Sequence, residues 1–174
     1  MKGVKGFSCL LLFFLFLKSS CKKISSDNIP PATQSGKNTL GFYLNGEKWI
    51  PQGSNGTPNL KFNYDKNYDG GVFNISAYRA FPNDGKKYII MYGNPFQTSE
   101  KITLPNSKFG VGYTDQKGCS YDYHDSLVKV LNGYFNITKL DQSNHIFAAE
   151  FEFNLIKKGC DTIHITQGRC DFSY

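Results

Sequence analysis

The stretch with the cleanest alternation of apolar and polar side chains is Phe147-Ala148-Ala149-Glu150-Phe151-Glu152-Phe153-Asn154-Leu155. Its odd-numbered positions are apolar, and from residue 150 onward its even-numbered positions are polar. Successive side chains of a β-strand point to opposite faces, so this period of two predicts a strand with one dry and one wet side. Similar segments at residues 134–141 and 162–174 flank it and predict a C-terminal antiparallel meander. Gly168 interrupts the last segment, where we expect a β-bulge.

A second strong signal is the Asn45-Gly46 pair, which stands between two aromatic-rich runs at residues 40–44 and 47–50. Asn-Gly tolerates the positive φ angles of a two-residue type I′ turn, so it predicts a hairpin. Counting outward from the turn places Phe42 opposite Trp49, and we expect both rings to enter the core together.

Between these two regions the chain carries short strand-like segments separated by turn-forming Asn, Gly and Pro. They lie at residues 60–64, 73–77, 87–93, 101–104 and 109–113. About nine or ten short strands at this spacing predict an all-β fold, an antiparallel β-sandwich or flattened barrel. The predicted domain covers residues 40–174, a length that suits one core.

The first twenty residues have the pattern of an export signal. A basic start precedes an apolar run at residues 7–17, which is shorter than the about 20 residues that a membrane-spanning helix needs. Lys18-Ser19-Ser20-Cys21 then resembles the lipobox of bacterial lipoproteins. The resemblance implies that residues 1–20 are removed and that Cys21 carries diacylglycerol and palmitate. An ordinary secretory leader cut near Ser20 and a short uncleaved anchor are the alternatives.

Residues 21–39 are rich in Ser, Asn and Pro and are expected to form the lipidated N-terminus and a flexible tether. The predicted location is the bacterial outer membrane. Lys22 and Lys23 directly follow Cys21, and an acidic run typical of surface export is missing there, which favours the periplasmic side.

Removal of the leader changes the charge of the chain. Lys2, Lys5 and Lys18 leave with it, so the 20 Lys and Arg fall to 17 against 14 Asp and Glu, and the net charge falls from +6 to +3. A nucleic-acid partner therefore loses its main electrostatic support, and none is predicted.

Both ends of the chain resemble an uncharacterised Bacteroidota family of small lipoproteins, which share the lipobox, the polar tether and an Asn-Gly hairpin ending in Trp. The C-terminal part of the resemblance rests on Asn136-Ile137-Thr138-Lys139-Leu140-Asp141, on Glu150-Phe151-Glu152-Phe153 and on Asp161-Thr162-Ile163-His164-Ile165-Thr166-Gln167-Gly168-Arg169. At the position of Cys170 the family usually has an aromatic residue. No activity is established for the family, so the resemblance implies a cellular location and not a mechanism.

Five cysteines are present, of which Cys9 belongs to the leader and Cys21 is the acylation site. Cys160 and Cys170 bracket one predicted strand, which separates them by far more than the about 7 Å between Cα atoms that a disulfide allows. We therefore expect a Cys119–Cys160 disulfide, with a Cys119–Cys170 disulfide or none as alternatives. Cys170 falls on the apolar face of its strand, where it can act as a small hydrophobic residue.

The segment containing Asp65, Asn67, Asp69 and Gly70 matches the first half of a calcium-binding loop. Oxygen donors at alternate positions and a glycine for the bend are what such a loop needs. The twelfth position is Ser76, however, which cannot supply the bidentate carboxylate. We therefore expect a polar hairpin turn and no bound metal.

A local cluster of aromatic and acidic side chains makes Tyr121, Tyr123 and His124 the candidates for ligand contact. A second histidine at metal-ligand spacing is missing from the sequence around His124, so zinc chemistry is not predicted. We expect His124, His145 and His164 to lie on the surface.

The sequence carries no nucleophile elbow, P-loop or dinucleotide fingerprint, so neither an enzyme nor a cofactor is predicted. The leading prediction is a non-enzymatic cell-envelope lipoprotein with a binding or structural β-domain, held to the membrane by its lipid and with an undetermined protein or glycan partner. The alternative is a lipocalin-like carrier or a glycan-binding module that uses exposed tyrosines. The tyrosines considered are Tyr43, Tyr68, Tyr78, Tyr121, Tyr123 and Tyr134.

Overall fold

The structure is a computed structural model, and it describes residues 28–54, 56–81, 85–94, 101–116 and 118–174. The predicted signal peptide of residues 1–20 and the acylation site Cys21 lie outside these ranges. The described residues form eleven strands: β1 (Thr39–Leu44), β2 (Glu47–Trp49), β3 (Leu60–Asp65), β4 (Val72–Phe81), β5 (Gly85–Gly93), β6 (Lys101–Leu104), β7 (Phe109–Asp115), β8 (Ser120–Tyr121), β9 (Val128–Asp141), β10 (Ile146–Lys157) and β11 (Ile163–Ser173). In this part of the chain we find no helix with the length and apolar character to span a membrane.

The strands form two antiparallel sheets that pack face to face as a sandwich, so the barrel alternative is not adopted. A six-stranded sheet has the order β2-β1-β11-β10-β9-β6, and a five-stranded sheet has the order β3-β4-β5-β7-β8. The predicted C-terminal meander is confirmed, because β9, β10 and β11 are neighbours in chain order. The prediction of nine or ten strands omitted β8, which has only two residues.

The predicted hairpin around Asn45 is confirmed in its turn and its register. Asn45 and Gly46 both have positive φ angles, 51° and 84°, as a type I′ turn requires. Phe42 pairs with Trp49, and their rings stack with centroids 4.7 Å apart. The turn therefore delivers two large rings to the same side of the sheet.

The space between the sheets is filled by apolar and mainly aromatic side chains. On β10, Phe151, Phe153 and Leu155 are buried, whereas Glu150 and Glu152 are exposed, as the alternation predicts. The largest fully buried side chains are aromatic: Trp49, Tyr121, Phe42, Phe73, Phe135, Phe147, Phe151, Phe153 and Phe172. Rings from both sheets meet, since Phe73 of the five-stranded sheet stacks on Phe135 of the other at 5.1 Å.

The predicted bulge in the last strand is also present. The register between β10 and β11 shifts between Phe151 and Phe153, and Gln167 has a positive φ of 51°. Gly168 faces Phe151, and a Cβ at this position would lie 2.2 Å from Cε2 of the Phe151 ring. The glycine therefore leaves room for a core ring where the strand bends.

The predicted disulfide is confirmed. Cys119 and Cys160 are bonded with their Cα atoms 6.1 Å apart. Cys119 precedes β8 of the five-stranded sheet and Cys160 follows β10 of the six-stranded sheet, so the bond joins the two layers. Cys170 is a buried free cysteine, and burial raises the pKa of its thiol far above the ordinary range.

Replacing both disulfide partners, Cys119→Ser with Cys160→Ser, should lower the free energy of unfolding by about 4 kcal/mol, since the crosslink closes a long loop in the unfolded chain. Urea unfolding of the oxidised wild type and of the double variant measures the difference. Addition of a reductant should lower the free energy of unfolding of the wild type to that of the variant, and it should leave the free energy of unfolding of the variant unchanged. An equal stability of the two oxidised proteins would contradict this prediction.

Residues 29–37 form a strap across the outer face of the six-stranded sheet, although the sequence pattern places them in a flexible tether. Ile29 is only 4 % exposed and, with Pro30, lies against Gly41 of β1. Further along the strap, four groups donate hydrogen bonds to the carboxylate of Asp171 on β11. They are Thr33 Oγ1 at 2.6 Å and the backbone N–H groups of Ser35 at 3.1 Å, Gly36 at 2.7 Å and Lys37 at 3.2 Å.

These contacts correct the predicted tether over its second half, because a buried carboxylate holds this segment to the sheet. Asp171 is 1 % exposed. Burial alone would raise the pKa of Asp171, but the hydrogen bonds from Thr33, Ser35, Gly36 and Lys37 together outweigh burial and hold the pKa below its ordinary value of 3.8. The carboxylate therefore stays ionised and keeps all four donors.

Asp171→Asn should destabilise the protein by about 2–3 kcal/mol, because an amide cannot accept from all four donors and carries no charge. Because the folded pKa is lowered, the contribution of the carboxylate is present above the unfolded pKa and is lost as the pH falls through the folded value. Urea unfolding of the wild type and the variant measures the loss at pH 7. The difference between the two proteins should be smaller at pH 3.

Asp141→Asn is the matched control, since its carboxylate accepts hydrogen bonds from Asn144 at an exposed turn. It should cost about 1 kcal/mol or less. Equal losses in the two variants at pH 7 would contradict the role given to Asp171.

Candidate functional site

The outer face of the five-stranded sheet is unusually apolar along its central strand. On β5 the inward side chains Ile89 and Met91 are buried in the core. The alternate side chains Tyr88, Ile90 and Tyr92 point to the other face and are half-buried there. A strand in a sandwich normally presents polar residues on its outer side, whereas the outer side of β5 carries two tyrosines and an isoleucine.

Two glycines on the neighbouring strand make space for these side chains. Gly110 of β7 pairs with Tyr92, and a Cβ at Gly110 would lie 2.1 Å from Cζ of the Tyr92 ring. Gly112 pairs with Ile90, and a Cβ there would lie 3.3 Å from Cδ1 of Tyr123. Tyr92 therefore lies across β7, and Tyr123 leans over the same strand from the loop that follows β8.

The result is a groove on the outer face with a volume of about 350 Å³. We call it the tyrosine groove. Its lining is drawn from β3, β4, β5, β7 and two loops: Thr57, Pro58, Lys61, Ser76, Ala77, Tyr78, Tyr88, Ile89, Ile90, Gly112, Thr114, Asp122 and Tyr123.

One wall of the groove is fixed by a contact between β4 and the loop before β3. The Tyr78 hydroxyl donates a hydrogen bond of 2.8 Å to the carbonyl oxygen of Thr57, and Tyr78 is 6 % exposed. The Tyr88 ring lies 5.9 Å from that of Tyr78, and Lys86 Nζ lies 5.4 Å from the Tyr78 ring centroid. Pro58 completes this wall with an exposed apolar ring.

The opposite wall is built from rings that support one another. Tyr123 lies 4.8 Å from Tyr92 and 4.0 Å from His124, measured between ring centroids. Tyr123 is 36 % exposed, so this residue stays partly open to solvent beside the two rings that it contacts. Burial, followed by the proximity of Tyr123, raises the pKa of Tyr92 above 10, so the Tyr92 phenol is neutral near pH 7.

Polar groups lie around this apolar floor. Thr114 Oγ1 and Ser120 Oγ are 3.1 Å apart and share a hydrogen bond at the edge of β7. Asp122 Oδ1 accepts a hydrogen bond of 2.9 Å from the backbone N–H of His124. An ionised carboxylate has about four acceptor positions, so Asp122 retains capacity for a ligand. Lys61, on an exposed position of β3, places an amine at the far side.

The structure separates the three predicted ligand-contact residues. Tyr123 lines the groove and His124 packs against its ring, whereas Tyr121 is 2 % exposed and belongs to the core. The Tyr121 hydroxyl donates a hydrogen bond to the carbonyl oxygen of Asp161. Because β8 turns this side chain inward, the structure does not bring Tyr121 together with Tyr123 and His124.

The other predicted surface groups are distributed over the molecule. His124, His145 and His164 are exposed, as expected. Tyr68 is 67 % exposed, whereas Tyr78 is buried in the groove wall. Tyr43 and Tyr134 are half-buried on the six-stranded sheet, where Lys101 Nζ lies 3.9 Å from the centroid of the Tyr134 ring.

The segment considered for calcium forms the hairpin turn between β3 and β4. Asp65 Oδ1 accepts a hydrogen bond of 2.9 Å from the Asn67 backbone N–H, and the Asp69 carboxylate accepts one from the Asn94 side chain. Asp69 itself has a positive φ of 46°. Across the residues that the structure describes, no group of three or more His, Cys, Asp or Glu side chains is placed to hold a metal.

Two features of the sequence correspond to the groove. Tyr88-Ile89-Ile90-Met91-Tyr92 is an unbroken apolar run, which indicates a strand whose two faces both have apolar surroundings. Gly110 and Gly112 alternate with apolar residues on β7, and glycine inside a strand often marks a close approach. Neither signal alone says that the second face is open.

No protein-family model matches this chain, and neither a curated protein nor a solved structure matches it. The geometry of the groove is therefore the basis for any functional proposal.

Gly110→Ala should lower the free energy of unfolding by about 1–3 kcal/mol, since its methyl group occupies the space of the Tyr92 ring. In a Tyr92→Ala background the same substitution should cost much less, because the clash is removed. Urea unfolding of the two single variants and the double variant measures this coupling. Additive effects would contradict the ring position described here.

Proposed function

We propose that this protein is an exported, lipid-anchored binding domain of the bacterial cell envelope, and that the tyrosine groove is its binding surface. The observation that supports binding is the groove itself: an apolar floor with convergent polar groups on a sheet face that usually carries polar residues. Ligand sites have this combination of apolar lining and few placed polar groups.

The positions of the strap and the groove fit an anchored binding domain. The strap crosses the outer face of the six-stranded sheet, and the groove lies on the outer face of the five-stranded sheet. The strap and the groove therefore lie on opposite outer faces of the sandwich. If Cys21 carries the lipid, the domain is attached through the strap, which does not cover the groove.

Binding within an interior cavity, as in a lipocalin-like carrier, has less support. Aromatic side chains fill the described space between the sheets, including Phe73, Phe135 and Phe151. An external groove is the alternative that the packing favours, and it agrees with the use of surface tyrosines that a glycan-binding module requires.

The chemistry of the groove suits binding better than catalysis. Apart from tyrosines, the ionisable side chains in its lining are Lys61 and Asp122. Acid–base catalysis by two groups requires both to reach the same reacting atoms, whereas Lys61 on β3 and Asp122 after β8 lie at opposite edges of the five-stranded sheet. We therefore assign the groove a non-enzymatic role.

Cell fractionation and labelling with a palmitate analogue test the anchor. Wild type should be labelled and pellet with membranes, and Cys21→Ala should be unlabelled and leave the membrane fraction. Cys9→Ala is the matched control, since it removes a cysteine from the predicted leader and should behave as wild type.

Continued membrane association of Cys21→Ala would overturn the anchor proposal. Protease digestion of intact cells expressing the wild type then separates the two sides of the outer membrane. The proposed periplasmic location requires protection until the outer membrane is opened, and digestion of intact cells would place the domain outside.

A further inference from the structure

We propose that the ligand of the tyrosine groove is a neutral saccharide, with the apolar face of one pyranose ring stacked on Tyr123. This inference rests on the proposed function and specifies its ligand class. It combines the exposed ring, the polar groups around the groove and the position of the groove within the sheet.

Tyr123 provides a flat surface that is held in place. Its ring is supported by Tyr92 at 4.8 Å and by His124 at 4.0 Å, while 36 % of the residue stays exposed. An aromatic face is electron-rich and attracts the slightly positive C–H groups on the apolar face of a pyranose. Because the ring is already positioned, stacking costs little side-chain entropy.

The groups around the floor match the edge of a sugar. Hydroxyl groups both donate and accept hydrogen bonds, and the lining offers an acceptor at Asp122, a donor at Lys61 and hydroxyls at Ser76 and Thr114. One acidic and one basic side chain give the lining no strong preference for an anion or a cation. A neutral ligand with an apolar face and polar edges therefore fits better than a charged one.

The size and shape of the groove indicate a short segment of a glycan. Its volume of about 350 Å³ is at the lower end of the range for small-molecule sites, about 300–1,000 Å³. The groove lies on an open surface, so a longer chain can continue beyond it. One or two sugar units of such a chain would be in contact with protein.

The position in the sheet argues against an extended peptide as the ligand. A peptide that adds to a sheet needs an unpaired strand edge for its backbone hydrogen bonds. The central strands β4, β5 and β7 are paired on both sides, and the groove lies on their face. Recognition there must use side chains, as a saccharide permits.

Calorimetric titration of the purified full chain in nanodiscs tests the ligand class. The probes are cellotetraose, xylotetraose, mannotetraose, β-1,4-galactotetraose and tetra-N-acetylchitotetraose, with sorbitol as a hydroxyl-rich control that has no ring. At least one tetrasaccharide should bind and sorbitol should not. If none of the five binds, or if sorbitol binds equally, the saccharide proposal is wrong.

Tyr123→Ala should weaken the binding of that tetrasaccharide by about tenfold or more, and Tyr123→Phe should retain it because the ring remains. Asp122→Asn should weaken it severalfold. Tyr68→Ala is the matched control, since Tyr68 is 67 % exposed in the β3–β4 turn and lies outside the groove. Equal affinities of Tyr123→Ala and wild type, or equal losses in Tyr123→Ala and Tyr68→Ala, would overturn the stacking assignment.

A dye separates failure of the ligand class from failure of the site. If 1-anilinonaphthalene-8-sulfonate binds wild type and Tyr68→Ala but not Tyr123→Ala, while no tetrasaccharide binds, the groove remains the binding surface and the saccharide is wrong. If neither dye nor tetrasaccharide binds, the groove proposal fails as well, and the anchor proposal stands on its own fractionation result.

Discussion

Aromatic packing between the two sheets is the constraint on which the rest of this molecule depends. Phe73 from one layer and Phe135 from the other stack at 5.1 Å, and the surrounding rings leave the described interior filled. Interiors packed in this way admit no further molecule without losing contacts. The stacked core rings therefore leave the outer faces of the sheets and the ends of the sandwich as the surfaces open to a ligand.

The outer faces of the two sheets differ, because the strap covers part of one and the groove lies on the other. On the six-stranded sheet, Asp171 gathers four hydrogen-bond donors and holds the strap in place. A buried charge is tolerated only when its acceptor positions are satisfied, so the strap and Asp171 depend on each other. On the five-stranded sheet no comparable segment of the described chain crosses Tyr88 and Ile90, and the groove forms over them.

Local patterns in the sequence predict the fold class, the Asn45-Gly46 hairpin, the meander and the disulfide partner of Cys119, because each depends on neighbouring residues or on strand length. The strap cannot be predicted from such local patterns, because Asp171 lies more than 130 positions from the segment that it holds, and composition alone favours a tether there. The sequence indicates only some of the residues that form the groove. Tyr123 stands out in the sequence, but its partner Tyr92 comes from another strand, and the direction of Tyr121 depends on pairing in a two-residue strand.

NMR of the full chain with labelled aromatic rings, titrated with the tetrasaccharides, tests the central claim that ligands bind on the outer face of the five-stranded sheet and not between the sheets. Binding on the outer face should shift the ring signals of Tyr123, Tyr92 and Tyr88 and leave those of Phe73 and Phe135 unchanged. Shifts concentrated in Phe73 and Phe135 would instead place the ligand inside the sandwich, and the groove would not be its site.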